Sequence, residues 1–210
     1  MPAVIDHDAR RNTLAEIAAD LVATGGAEAA TVRAVAAAAG FSTKAVTHYF
    51  PDKRALMLLT YRHAALTSKA RTDASQPKDR GDLGALFRAL LPIDPRVTRD
   101  WRVWFCFWGM AIADPEYAAE QRERMRAFVA QIEAVLAADP DFAHIAPGNR
   151  PAIASALFAQ LVGIVTQATF DAEHWPPLRQ VEAIDGAISR VRGWEKTSNQ
   201  APVCGELAGN

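Results

Sequence analysis

Between Gly40 and Pro51 the chain reads GFSTKAVTHYFP, in which Thr43, Lys44, Ala45, Thr47 and His48 form a cluster of small, polar and cationic side chains. At 100° per residue of helix, Val46 and Phe50 point together to one side. Lys44 and His48 point almost directly away, flanked by Ala45 and Thr47, with Thr43 at the exposed N-terminal end. Hydroxyls, an ammonium and an imidazole can hydrogen-bond base edges in a DNA major groove, and a small methyl can meet the methyl of thymine. Tyr49 and Lys53 fall at the rim of this face, where a phosphate strand would pass, and free N–H groups at nearby helix starts suit phosphate as well.

Such a face needs a short helix held rigidly. Upstream, Leu14, Ile17, Ala18, Leu21 and Val22 have the spacing of one buried helical stripe, ended by Gly25-Gly26. Thr31 is a natural N-cap for a second helix with Val32, Val35, Ala36 and Ala39 inward and Gly40 at its end. Ser42 or Thr43 caps the third helix, and Phe50-Pro51 closes it, because proline restricts the residue before it away from helical angles. Asp52 caps a fourth helix that presents Leu56, Leu59, His63 and Leu66 on one side and runs to about residue 72. Two short helices around Gly40-Phe41-Ser42, braced by a preceding one, form a helix-turn-helix.

The segment TVRAVAAAAGFSTKAVTHYFPDKRALM resembles the DNA-binding signature of the TetR family of repressors, over about residues 10 to 56. The matching positions are Thr31, Ala39, Gly40, Phe41, Ser42, Tyr49, Phe50, Asp52, Lys53 and Leu56. Lys44 replaces a usual small residue and Thr47 a commoner tyrosine; the hydroxyl before His48-Tyr49-Phe50 is closer to the BetI-like subgroup. The resemblance implies that Thr31, Tyr49 and Lys53 hold phosphates, while Thr43, Lys44, Ala45, Thr47 and His48 approach bases and Ser42 belongs to the same DNA-binding set. It implies a homodimer on double-stranded operator DNA and a ligand-binding C-terminal half.

That half reads as helices at roughly 82 to 91, 98 to 114, 115 to 138, 149 to 171 and 177 to 193, jointed by prolines. The expected fold is all-α with about nine helices: a DNA-binding domain over 1–52, a ligand-binding and dimerisation domain over 53–195, and a disordered tail over 196–210. In WRVWFCFWGMAI, the residues Trp101, Trp104, Phe105, Trp108 and Ile112 share a face and form the candidate wall of a pocket for an apolar or aromatic small molecule. Indole faces also admit a cation. One stripe of Ile153, Leu157, Leu161, Ile164 and Ala168, with the small Ala156 and Gly163 nearby, and a second of Val181, Ile184, Ile188 and Val191, are the candidate dimer interface. Two such hairpins related by a two-fold axis would form a four-helix bundle. Periodicity alone leaves packing within one chain as the alternative.

The whole chain of 210 residues carries a net charge of -1, yet residues 1–72 hold nine Lys and Arg against six Asp and Glu, a local balance of +3. Two cysteines, Cys106 and Cys204, make no disulfide framework and fit a reducing, cytoplasmic setting. The start MPAVIDHDAR lacks the order of a signal peptide, and continuous apolar runs fall short of a membrane span. The five histidines have no metal-ligand spacing, and no nucleophile motif, phosphate loop or paired carboxylates stand out, so neither a cofactor nor an enzyme is expected.

Overall fold

Side-chain oxygens mark the helix starts. Thr31 Oγ1 accepts from the Ala34 N–H, Ser42 Oγ from Ala45, Asp52 Oδ1 from Ala55, Asp82 Oδ1 from Ala85, Asp94 Oδ1 from Arg96, and Asp114 Oδ1 from Glu116 and Tyr117. Each satisfies a backbone donor that a helix start leaves open, and each contributes about 1 kcal/mol. The structure, a computed structural model, describes residues 7–194. Between the caps run α1 (His7–Ala29), α2 (Val32–Ala39), α3 (Thr43–Thr47), α4 (Lys53–Ser75), α5 (Leu83–Arg88), α6 (Pro95–Ala111), α7 (Pro115–Ala138), α8 (Arg150–Phe170) and α9 (Pro177–Arg192). Two short 3₁₀ turns, Pro140–Phe142 and Pro147–Asn149, join α7 to α8. The described residues contain no strand, and the fold is all-α as expected. The tail expected over 196–210, with Cys204, lies outside the described residues.

Boundaries moved where local chemistry outweighed periodicity. α6 begins at Pro95 rather than 98, because Asp94 caps it and proline is tolerated in the first turn. Gly26, at φ 72°, kinks α1 instead of ending it. Gly40 ends α2 in the left-handed region, with its N–H returned to the Ala36 and Ala37 carbonyls.

Leu14, Ala18, Val35, Ala36, Val46, Phe50 and Leu56 form the core of the first three helices and the start of α4. A second cluster joins Ala19, Val22 and Ala30 to Met57 and Ala64 of α4 and Val103 of α6. The main core lies among α5 to α9, around Leu86, Phe87, Trp101, Ile132, Leu136, Phe142 and Leu161. α4 therefore belongs to both halves. Its buried residues include Leu56, Met57, Thr60, Tyr61 and Ala64, whereas Leu66, expected inward, is 60% exposed.

The expected dimer stripes are corrected by this packing. Ile153, Leu157, Leu161, Ile164, Ala168, Ile184 and Ile188 are buried within the single chain, and Val181 packs half-buried against the same core. They are the inner seam between α8, α9 and the rest of the bundle. The outward face of α8 carries Ala152, Ser155, Ala156, Ala159, Gly163 and Phe170. The segment Pro147–Phe170 is long and apolar enough by composition to cross a membrane, contrary to the sequence expectation. Its buried stripe is used as bundle core, so the apolarity has a structural cause without a bilayer.

Candidate nucleic-acid interface and adjoining cavity

α3 presents the expected faces. Val46 and Phe50 are fully buried, at 0% and 1% exposure, while Thr43, Lys44, Thr47 and His48 are exposed and Ala45 is half-buried. The Thr47 hydroxyl donates to the Lys44 carbonyl at 3.0 Å, so its oxygen is left to accept from a base amino group. Ser42 and Thr31 each accept a backbone N–H as caps, and their hydroxyl protons remain available to phosphate oxygens.

The N-terminus of α1 adds residues that sequence reasoning missed. His7 Nδ1 lies 3.0 Å from Tyr49 Oη, and its ring sits 6.4 Å from that of His48. Arg10 lies 5.1 Å over the Phe41 ring. No local pattern links positions more than thirty residues apart, so nothing in the spacing signals these contacts. Lys53, expected at the rim, is paired with Glu28 at 2.8 Å. Glu28 is 93% exposed, and an exposed pair of this kind is worth about 0–1 kcal/mol, so phosphate can displace it. Replacing Lys53 with alanine should weaken specific and non-specific DNA binding together and lower the salt slope by about 0.9. Glu28→Gln should tighten binding at low salt. An unchanged slope in the first variant would exclude a phosphate contact. Lys44→Ala should instead cost about 1–3 kcal/mol at one operator position, with uniform weakening across sequences as the contrary result.

Arg54 faces the other way. It pairs with Asp114 at 2.6 Å and Glu116 at 2.6 Å and lies over Tyr117, whose hydroxyl donates to the Arg54 carbonyl. It bolts α4 to the start of α7.

Behind the reading head lies a cavity of about 420 Å³, within the roughly 300–1,000 Å³ of small-molecule sites. Trp101, Trp104 and Trp108 of α6 line it, with Tyr61 of α4, Phe128 of α7 and Phe158 of α8. Two expected wall residues do not. Phe105 turns from the cavity toward Phe170, at 5.6 Å between ring centroids. Ile112 is 89% exposed, because α6 ends at Ala111 and nothing packs beyond it. Leu161, expected at a dimer interface, lines the cavity instead.

The Trp101 N–H donates to the Leu90 carbonyl at 2.7 Å. The Trp108 N–H is buried and directed at the Tyr61 hydroxyl, short of full hydrogen-bond geometry. A buried donor left unpaired costs about 1–3 kcal/mol, so a bound acceptor in better geometry would relieve part of that cost. The Tyr61 hydroxyl donates to Gln121 Oε1, and its ring stacks on Phe107 at 3.8 Å. Burial pushes the phenol well above its ordinary range, so it stays a neutral donor.

α6 also grips the reading head. Arg99 meets Glu16 at 2.6 Å and Asp20 at 3.1 Å on α1, and Arg102 donates to the Ala23 carbonyl at 3.3 Å. His63 of α4 lies 2.8 Å from the same Glu16. Burial raises the Glu16 carboxyl, but hydrogen bonds with His63 and from Arg99 outweigh it and hold the group below its ordinary 4.5. For a depressed carboxylate, the stabilisation is complete above the unfolded value and is lost as pH falls through the folded one. Acid should therefore loosen the clamp. Melting of Glu16→Gln should show a flatter acid limb than wild type between about pH 3 and 6, and parallel curves would deny Glu16 this role. Asp100, fully buried beside Arg71 and Arg99, is pushed upward by burial and works in the opposite sense.

Residues 14–59 match the model for bacterial regulatory proteins of the tetR family, and residues 79–193 match the BetI-type transcriptional repressor C-terminal model. The chain is 30% identical over 121 residues to the transcriptional regulator BetI of Paraburkholderia phymatum, covering 55% of this chain and 61% of that one. The chain thus matches under two thirds of that relative's length. A crystal structure of a transcriptional regulator from Rhodococcus sp. Rha1 shares 28% identity with a TM-score of 0.76, over 86% of this chain and 95% of that one. A putative regulator from Saccharomonospora viridis, solved with choline, shares the fold at 17% identity and a TM-score of 0.74, over 87% and 97% of the two chains. The helix-turn-helix at the N-terminus and the bundle that follows it are those of one family, and the chain belongs to the TetR family of transcriptional regulators, with a BetI-type C-terminal domain.

Proposed function

We propose that the protein is a ligand-responsive repressor that binds a palindromic operator as a homodimer and releases it when a small apolar or aromatic molecule enters the α6 cavity. The observation that carries this reading is the double role of α6: Trp101, Trp104 and Trp108 line the cavity, while Arg99 and Arg102 hold α1 of the reading head. A ligand that moves α6 must strain or break these contacts, and it shifts DNA affinity by its differential affinity for the two states. The DNA-binding set is Thr31, Ser42, Thr43, Lys44, Ala45, Thr47, His48, Tyr49 and Lys53, extended here by His7. We divide the chain at Asp52, with reading head before it and sensing and dimerisation domain after it, and place its action in the cytoplasm with its DNA. Half-sites about one helical turn apart, or a multiple, fit two such heads.

The test is a titration of DNA from around the protein's own gene, with and without effector candidates. A salt-dependent, sequence-selective complex that weakens about five- to 150-fold with ligand is the expected result. Arg99→Met should bind ligand normally and lose most of that coupling. Binding that ignores sequence, or that no ligand in a broad metabolite screen changes, would overturn the reading.

A further inference from the structure

The cavity lining contains no carboxylate. Its charged members are Lys69 of α4 and Arg124 of α7, and Ser68 and Gln121 add hydrogen-bond donors, while Thr72 and Gln131 spend theirs within the protein. The carboxylates that pair with these cations are already engaged. Lys69 spends one of its three donors on Asp73, at 2.5 Å. Arg124 contacts Glu120 at 2.9 Å, but Arg62 takes the same carboxylate at 2.7 Å, so two guanidinium groups share one anion.

These cations sit at an opening. Side chains link α4 to α7 at both ends of the cavity: Tyr61 with Gln121 and Arg62 with Glu120 at one end, Thr72 and Asp73 with Gln131 at the other. Lys69 and Arg124 fall between the two links, on opposite helices. The aromatic wall of α6 lies across from this seam.

From this arrangement we infer that the effector is a planar aromatic anion: an aromatic ring held among Trp101, Trp104, Trp108 and Phe128, with a carboxylate meeting Lys69 and Arg124. The inference rests on reading the cavity as the effector site. A quaternary ammonium would find indole faces there, yet it would be desolvated beside Lys69 and Arg124, whose carboxylate partners are already engaged. A carboxylate instead gains charge-assisted hydrogen bonds from both helices.

Three probes with matched rings separate the possibilities by calorimetry on the full chain: 2-naphthoate, neutral 2-naphthalenemethanol and cationic 2-naphthylmethylammonium. We expect 2-naphthoate to bind at least about tenfold tighter than the alcohol, and the cation to bind weakest. In the Lys69→Gln/Arg124→Gln double variant the anion's advantage should disappear while the affinity for the alcohol is kept, which shows that the cavity is still folded. Equal or tighter binding of the alcohol or the cation, or an undiminished anion preference in the variant, would overturn the assignment of ligand charge and leave the cavity reading standing. Failure of all three to bind at millimolar concentration would overturn the cavity reading itself, and this inference with it.

Discussion

Ala159→Glu should yield folded monomers whose operator affinity falls by about 10³-fold or more, toward the non-specific level that a single reading head can reach. Ala159 sits midway along the outward face of α8, between Ala156 and Gly163, where small side chains permit close approach of a second helix. Phe170, 75% exposed at the end of the same helix, adds apolar surface that water does not favour leaving open. A carboxylate at Ala159 costs the isolated chain little, since the position is exposed, but it would be buried unpaired in a dimer. Ile188→Glu makes the contrast. Ile188 is 5% exposed inside the bundle, so a charge there should destabilise the fold by at least about 4 kcal/mol rather than separate subunits. Sedimentation with parallel melting distinguishes the two outcomes. Wild-type protein that is monomeric at micromolar concentration with full operator affinity, or an Ala159→Glu variant that stays dimeric, would sink the assignment.

The tryptophans of α6 should divide into one that holds the fold and one that reads the ligand. Trp101 is 2% exposed and donates to the Leu90 carbonyl, so Trp101→Ala removes a large core side chain and leaves an acceptor unpaired, at a cost of about 3–5 kcal/mol. Trp108 is only part-buried, and its N–H is held only by weak contact with the Tyr61 hydroxyl. Trp108→Phe keeps most of the apolar volume while deleting that weakly held donor, so stability should change by less than about 1 kcal/mol. The same change should weaken the ligand response about tenfold or more, because the wall loses both area and a donor. A Trp108→Phe protein that is much less stable yet binds ligand as before would return this residue to the core.

Much of the reading head was legible because its information is local. Thr31, Gly40, Ser42 and Asp52 are caps whose partners lie three or four residues away, and the 100° wheel separates Val46 and Phe50 from Lys44 and His48 without reference to the rest of the chain. The aromatic stripe of α6 likewise pointed to the cavity at Trp101, Trp104 and Trp108.

What only the tertiary structure decided was the assignment of apolar surfaces to partners and the pairing of charges across long separations. α8 is apolar around much of its circumference, and a wheel identifies such faces without saying which meets its own bundle. The bulky stripe of Ile153, Leu157, Leu161 and Ile164 went inward because α6, α7 and α9 fill their space with it, leaving the small residues outside. Ile112 shares an angle with Trp108 but lies beyond the last turn of α6, where the direction of its side chain no longer leads into the bundle. Glu16 and Arg99 are 83 residues apart and His7 and Tyr49 are 42 apart, so their contacts depend on how α1 crosses α6 and α3. Local sequence encodes a helix and its faces; only the packed chain determines which residue each face meets, because that depends on the position of every other helix.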